Sequence, residues 1–159
     1  MAIVIADTSP LQYLFQLGIL DILRELYGTV LVPDAVRDEL RVGRLLGIDV
    51  PDPASFPWMT IRSTSIHAVV VPLGLGTGES AALSIALDTE DAIIVLDDAA
   101  ARAAAATLKI PTTGTLGVLL LAKERELVPS LANLLVDLEQ RGFRIAPALV
   151  ARVLAMAGE

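Results

Sequence analysis

The sequence predicts an α/β domain with a mainly parallel central sheet flanked by helices. Two apolar runs without polar alternation, at residues 3–5 and 92–96, are typical of strands buried on both faces of a parallel sheet. A helical pattern follows each run, so strands and helices alternate along the chain. No repeat or linker divides the 159 residues, and we expect one domain over residues 1–159.

The first third of the chain begins with the strand at 3–5, which ends at Asp7. Ser9 and Pro10 have the pattern of an N-cap followed by a first-turn proline, so a helix should begin there and end before Gly18. The next predicted elements are a helix at 19–26, a strand at 29–32 and a helix at 34–40.

Glycine and proline interrupt residues 43–57 at five positions, which predicts an irregular excursion or a short helix. Strands are predicted beyond it at 58–61, 68–71 and 92–96, with a short edge strand or turn at 109–111. Helices are predicted at 78–87 with Thr77 as the cap, 99–108, 115–123, 128–140 and from Pro147 onward. An extended piece is expected at 142–145.

Composition excludes several classes of protein. The chain is 54% hydrophobic with a mean hydropathy of +0.65, yet no run approaches the roughly 18 apolar residues of a membrane span. Without cysteine there is no disulfide, thiolate metal site or cysteine nucleophile, and the single His67 excludes a multi-histidine zinc site. We see no signal peptide and expect a cytoplasmic protein.

The net charge of −7 argues against a nucleic-acid-binding protein, because such proteins bind phosphates mainly through cations. That objection weakens if several carboxylates surround a divalent metal ion, which cancels part of their charge. Ten of the twelve basic residues are arginine, which suits bidentate contacts with phosphate.

Acidic residues follow two of the predicted strands at the point where each strand ends. Asp7 follows the first strand, and Asp97 and Asp98 follow the strand at 92–96. Because parallel strands end at the same edge of a sheet, these carboxylates can converge, and Glu39 and Glu79 fall near that edge. Such a cluster is repulsive unless it is protonated or shares a cation, and Mg²⁺ or Mn²⁺ suits oxygen ligands. The implied chemistry is metal-assisted phosphodiester hydrolysis.

Each of these acids also has a structural interpretation. Asp7 and Asp98 could cap helices, Glu39 could be a solvated helix residue, and Glu79 could be favoured by a helix dipole. Of the other polar residues, His67 is expected to be structural, and Arg102 to form an ion pair with Asp98 or, less favoured, to contact phosphate. By default Arg37, Arg41 and Arg44 form a solvated face, with RNA backbone contact as the alternative.

The glycine-rich loop at 74–78 resembles a dinucleotide-binding fingerprint. Its glycines fall as G-x-G-x-G, however, and Glu79 takes the place of the third expected glycine, where a carboxylate would compete with a pyrophosphate. The remaining interpretations are an ordinary connecting turn and a loop that aims Glu79 into the acidic site.

The chain resembles PIN-domain proteins of the short stand-alone prokaryotic branch. The matching segments, in the order of the family, are Ala6-Asp-Thr-Ser-Pro-Leu11, Val32-Pro-Asp-Ala-Val-Arg-Asp-Glu-Leu40, Gly78-Glu-Ser-Ala-Ala-Leu83, Leu96-Asp-Asp-Ala-Ala-Ala-Arg102 and Thr113-Gly-Thr-Leu-Gly-Val-Leu119. This resemblance implies a three-layer PIN-like fold and a Mg²⁺- or Mn²⁺-dependent endoribonuclease, similar to the toxins of toxin–antitoxin pairs.

The resemblance also implies roles for individual residues. The catalytic acids would be Asp7, Glu39, Glu79 and Asp98, and the metal ligands Asp7, Asp98 and Glu79, with Asp97 as the alternative to Asp98. Residues assigned to the substrate are Thr8, Thr113, Thr115 and Arg102. The expected partners are RNA, an antitoxin and a second copy in a homodimer, for which the apolar C-terminal helices offer a surface. The competing interpretations are a PIN-like protein that binds nucleic acid or a partner without cutting and, less favoured, a nucleotide-dependent oxidoreductase.

Overall fold

The computed structural model describes residues 2–159 and contains one five-stranded sheet. The strands are β1 (Ile3–Ala6), β2 (Val30–Pro33), β3 (Met59–Arg62), β4 (Ala92–Val95) and β5 (Thr112–Thr113). Every pairing is parallel, and the strand order is β3-β2-β1-β4-β5. The parallel sheet predicted from the buried apolar runs is confirmed.

Eight α-helices cover the sheet within residues 2–159. They are α1 (Thr8–Gln16), α2 (Ile22–Tyr27), α3 (Asp34–Leu45), α4 (Thr77–Leu87), α5 (Ala99–Thr107), α6 (Thr115–Glu124), α7 (Leu131–Gln140) and α8 (Pro147–Met156). Short 3-10 helices lie at Pro53–Ser55 and Val71–Leu73. In this part of the chain, none of the helices is long and apolar enough to cross a membrane.

Strand β1 lies at the centre of the sheet, between β2 and β4. Its alternating side chains enter two apolar layers: Val4 packs in the layer that contains Leu14 and Leu119, and Ile5 in the layer that contains Leu83. Burying each such side chain contributes roughly 1.5–3 kcal/mol, so β1 is anchored from both faces.

The register of β1 and β4 determines where the acidic residues meet. Ala6 pairs with Val95, so both strands end at the same level of the sheet. The backbone N–H of Asp7 continues the ladder by donating to the Val95 carbonyl oxygen at 3.1 Å. The chain reverses its direction of winding between β1 and β4, which is the position where open parallel sheets form ligand-binding crevices.

The strand predicted at 68–71 is wrong. Residues 68–70 form a turn, and the 3-10 helix Val71–Leu73 follows it. Pro72 has no N–H to offer a strand partner, and Gly74 ends the short helix in the left-handed conformation at φ +66°. The valine run is therefore apolar without being part of the sheet.

The predicted helix starts and ends also needed correction. Asp7, not Ser9, occupies the N-cap position of α1, and Gly76, not Thr77, that of α4. The helix predicted at 34–40 continues to Leu45, so the irregular excursion begins later than expected. The edge strand predicted at 109–111 lies at Thr112–Thr113.

Candidate active site

Asp7 is the most buried acidic residue at the carboxyl edge of the sheet, with an exposed fraction of 5%. Although it occupies the N-cap position of α1, its side chain makes no capping hydrogen bond, and its Oδ1 atom has no hydrogen-bond partner. Burial raises the pKa of Asp7 from 3.8 to about 7. The Thr8 backbone N–H opposes that rise, while the charges of Glu79, Glu39 and Asp97 add to it. A capping aspartate accepts from the second or third backbone N–H of its helix, and Asp7 makes no such capping bond.

Glu39 is held by three donors from two other helices. Its Oε2 accepts a hydrogen bond of 2.5 Å from the Thr8 hydroxyl. Its Oε1 accepts from the Thr77 hydroxyl at 3.1 Å and from the Gly78 backbone N–H at 2.8 Å. Glu39 therefore links α3 to the first residues of α1 and α4. The interpretation of Glu39 as a solvated helix residue does not account for these bonds.

The glycine-rich loop uses its backbone donors on carboxylates. The Gly78 N–H donates to Glu39, and the Gly76 N–H donates to Glu79 Oε2 at 3.0 Å. Partial burial raises the pKa of Glu79, the Gly76 N–H lowers it, and the Asp98 and Glu39 charges raise it further. Because the Gly76 and Gly78 N–H groups already donate to carboxylates, they are not available to bind a pyrophosphate. The loop instead places Glu79 in the acidic cleft.

We expect Gly78→Ala to displace Glu39 and to destabilise the fold. An added Cβ would lie 2.7 Å from Glu39 Oε1, closer than real Cβ contacts, and 3.0 Å from its Cδ atom, so Glu39 would have to move. Loss of the contacts to Glu39 should cost roughly 1–3 kcal/mol of unfolding free energy, measured by urea denaturation.

The matched control for that substitution is Gly43→Ala, also in a helix. Its new Cβ would meet Val50 Cγ2 at 3.3 Å and Ile48 Cβ at 4.0 Å, with no carboxylate nearby. A smaller effect is expected there, because alanine favours the helix. Equal losses of unfolding free energy in Gly78→Ala and Gly43→Ala would show that displacing Glu39 does not account for the destabilisation.

Asp97 joins two helices that meet beside the end of β4. Its Oδ1 accepts from the Thr115 backbone N–H at 2.7 Å, and its Oδ2 accepts from the Thr115 hydroxyl at 2.7 Å and the Ser9 hydroxyl at 3.0 Å. Thr115 is fully buried. Ser9 was predicted only as an N-cap, and its bond to Asp97 was not predicted, although its hydroxyl lies two residues after a strand-end aspartate.

Asp98 has a different local role, because its Oδ2 caps α5 by accepting from the Ala101 N–H at 2.9 Å. Its Oδ1 makes no hydrogen bond within residues 2–159. The predicted ion pair between Asp98 and Arg102 is wrong for the described structure. The Arg102 guanidinium instead donates to the Leu96 carbonyl oxygen at 3.0 Å, which the turn after β4 brings within reach.

The acidic side chains open onto a cleft of about 370 Å³. Its lining residues are Asp7, Ser9, Tyr13, Glu79, Asp97, Asp98, Gly142, Phe143 and Arg144. Four of the five candidate acids therefore share one cleft. Glu39 lines a neighbouring depression with Asp38 and Thr77 instead. The structure brings Glu39 to this edge as a support for the cleft rather than as part of its wall.

The other candidate residues are distributed around this cleft or lie away from it. Thr8 and Thr115 orient carboxylates, whereas Thr113 and Arg102 line a second cavity. His67 pairs with Asp88 at 3.1 Å. The three arginines of the helix at 34–45 have local partners: Arg37 and Arg41 pair with Asp38, and Arg44 donates to the Pro51 carbonyl oxygen.

The donor chemistry of the cleft fits a hard divalent cation. Every candidate ligand is a carboxylate oxygen, and the buried Asp7 Oδ1 and the Asp98 Oδ1 have no competing hydrogen bond. No three histidine, cysteine, aspartate or glutamate side chains between residues 2 and 159 already form a group that could hold a metal ion. Metal binding would therefore have to draw the carboxylates closer together.

Comparison with known proteins agrees with this architecture. A family model described as a PIN domain matches residues 3–159. The chain belongs to the PIN-domain family. No curated protein and no solved structure matches it. The PIN domain is a nuclease-like fold, so the acidic cleft at the end of β1 and β4 is the part of this PIN domain at which a nuclease activity should be sought.

Proposed function

We propose that this PIN domain, spanning residues 1–159, is a metal-dependent endoribonuclease that hydrolyses RNA phosphodiester bonds. The observation that carries the proposal is Asp7, a buried carboxylate without a capping role, with one oxygen unpartnered and other carboxylates nearby. Burying an ionised carboxylate opposes folding, and perturbed carboxylates in a cleft are typical of active sites.

We assign Asp7, Asp98 and Glu79 as the residues that would hold Mg²⁺ or Mn²⁺, with Asp97 as the alternative to Asp98. Such an ion, when bound, supplies an activated water and offsets charge on the phosphate. Glu39 supports the site through Thr8, the residue next to Asp7. Thr115 and Ser9 orient Asp97.

The proposal extends to a toxin role with an antitoxin partner and a homodimeric state. The sequence predicts that the apolar C-terminal helices form either this contact surface or part of the core, and Leu131, Leu135 and Leu138 of α7 are buried in the core. A more exposed apolar group lies at the end of α3, where Leu45 is 80% and Leu46 is 74% exposed. Apolar side chains this exposed are typical of partner surfaces when they are contiguous.

The direct test is cleavage of single-stranded RNA by the purified chain in Mn²⁺, in Mg²⁺ and in EDTA. We expect cleavage in the presence of either metal and none in EDTA. A chain that neither cuts RNA nor binds Mn²⁺ by calorimetry would contradict the proposal. If the chain binds Mn²⁺ but cleaves no RNA, the metal-site assignment stands and the ribonuclease proposal is contradicted.

One observation favours the alternative of a binding protein that does not cut. Glu39 and Asp97 each already accept three hydrogen bonds from the protein itself. If those bonds keep Asp97 from a metal ion and the cleft holds none, its carboxylates repel phosphate. RNA would then have to bind beside the cleft, at its arginines, without metal-dependent cleavage.

A further inference from the structure

A second cavity, of about 650 Å³, lies beside the carboxylate cleft. The two share Asp97, Phe143 and Arg144, so they are adjacent. The far wall is apolar, with Leu116 and Leu120 from α6 among its residues. Its volume is within the range of small-ligand sites, about 300–1,000 Å³, and larger than a metal with its waters needs.

The second cavity differs from the cleft in charge, because it has two guanidinium groups and one carboxylate. Arg102 and Arg144 both line it, whereas the cleft has four carboxylates and Arg144 alone. Arg144 is exposed and forms no hydrogen bond or ion pair within residues 2–159. In a chain of net charge −7, this cavity is therefore the side of the site best able to receive a phosphate.

An aromatic ring stands where the two cavities join. Phe143 is half-buried and packs edge-to-face against Tyr13, with centroids 5.0 Å apart and planes at 87°. The chain has only three Phe, two Tyr and one Trp, and both rings of this pair line the cleft. A ring fixed by a neighbour is suited to stack a nucleobase, which every base allows.

We propose that the second cavity binds a single ribonucleotide unit of the RNA strand, next to the unit whose phosphodiester lies in the carboxylate cleft. Its base packs against Phe143 and the apolar wall. Its phosphate contacts Arg144, and Arg102 adds a second positive charge to the same cavity. This inference rests on the proposed function for the position of the cut, but binding in the cavity does not require cutting.

The experiment is fluorescence anisotropy with a labelled ten-nucleotide oligouridylate, in EDTA and in Mn²⁺, using the full chain. Arg144→Gln removes the free cation, and Ala99→Leu fills the cavity from an exposed position at the start of α5. Arg141→Gln is the matched control, because Arg141 is a nearby exposed arginine that pairs with Asp137 and lines neither cavity.

We expect both test variants to weaken RNA binding roughly fivefold or more, as loss of a stacked base or phosphate contact does, with the control within about twofold. Arg144→Gln should also reduce the slope of log K against log salt by about 0.7, the value for one phosphate on a single strand. Ala99→Leu should leave that slope unchanged.

Wild-type binding that neither test variant weakens would overturn the subsite, as would the absence of binding in both buffers. If the variants weaken binding but no RNA is cut, the subsite is upheld and the endoribonuclease proposal fails. If RNA is cut, Arg144→Gln should raise KM with kcat within about twofold, because the arginine contributes binding and not chemistry.

Discussion

Asp7→Asn is expected to abolish metal-dependent RNA cleavage and, at the same time, to make the metal-free protein more stable at pH 8. The first effect follows if Asp7 is the principal metal ligand, because an amide is a far weaker ligand for Mg²⁺ than a carboxylate. The second follows from burial, which raises the pKa of Asp7 from 3.8 to about 7. A rise of that size corresponds to roughly 4 kcal/mol of lost stability once the group is ionised in both states.

The pH dependence of this penalty has a definite sign. Below pH 3.8 the carboxyl is protonated in the folded and unfolded chains, so it costs nothing. Between about pH 4 and 7 the unfolded chain releases a proton that the folded chain keeps, and stability falls as pH rises. Above about pH 7 the loss is complete and constant. Asparagine does not titrate, so its advantage over Asp7 should grow across this window and then level off.

Thermal melting at pH 4, 6 and 8 in EDTA measures the difference, with Asp21→Asn as control. Asp21 is an exposed residue at the N-cap position of α2 whose side chain makes no capping bond. Its substitution should have little effect at any pH. Adding Mn²⁺ should raise the Tm of the wild type and leave that of Asp7→Asn unchanged. A variant less stable than the wild type at pH 8 would show that Asp7 holds the fold together, and the metal assignment would lose its main support.

The convergence of the acids could be predicted from the sequence, because it depends on the backbone alone. Two buried apolar runs imply parallel strands, and parallel strands end at one edge, so Asp7 and Asp97–Asp98 were able to converge there. The register between Ala6 and Val95 shows how closely the two ends are matched. That β1 and β4 are neighbours in the sheet is shown by the structure and was not predicted from the sequence.

Which acids line the cleft and which support it from outside could not be predicted in the same way. Whether Glu39 lines the cleft or supports it depends on the donors of Thr8, Thr77 and Gly78, which come from two other helices. Such contacts depend on tertiary packing and produce no periodic pattern in the sequence. Phe143 and Arg144 were missed for the same reason, because they lie in a loop after α7 and reach the cleft only when the C-terminal helices have docked.

The adjacent Asp97 and Asp98, which sequence could not rank as ligands, should separate sharply under substitution. Asp97→Ala leaves the buried Thr115 N–H and hydroxyl without their acceptor and frees the Ser9 hydroxyl. We expect a loss of roughly 3 kcal/mol of unfolding free energy, since each orphaned buried donor costs about 1–3 kcal/mol. The variant should also loosen α6 from the end of β4.

Asp98→Asn is the matched substitution next to it. Asparagine caps helices about as well as aspartate, so the bond to the Ala101 N–H is kept, and stability should change by less than about 0.5 kcal/mol. If Asp98 is a metal ligand, the variant should nonetheless lose Mn²⁺ affinity by calorimetry, separating metal binding from folding. Urea denaturation measures both stability changes. Adding the Thr115→Val single mutant and the Asp97→Ala, Thr115→Val double mutant completes the cycle that isolates the coupling between Asp97 and the Thr115 hydroxyl.

A large stability loss in Asp98→Asn together with a small one in Asp97→Ala would reverse the assignment of the two residues. The expected order follows from geometry. Asp97 makes three bonds to two helices, and two of the donors belong to a residue with no exposure. Asp98 makes one bond to its own helix and keeps an oxygen free. A carboxylate whose oxygens already accept hydrogen bonds from the fold is less available to coordinate a metal ion. Asp98, with one oxygen unbonded, is therefore the better second ligand beside Asp7.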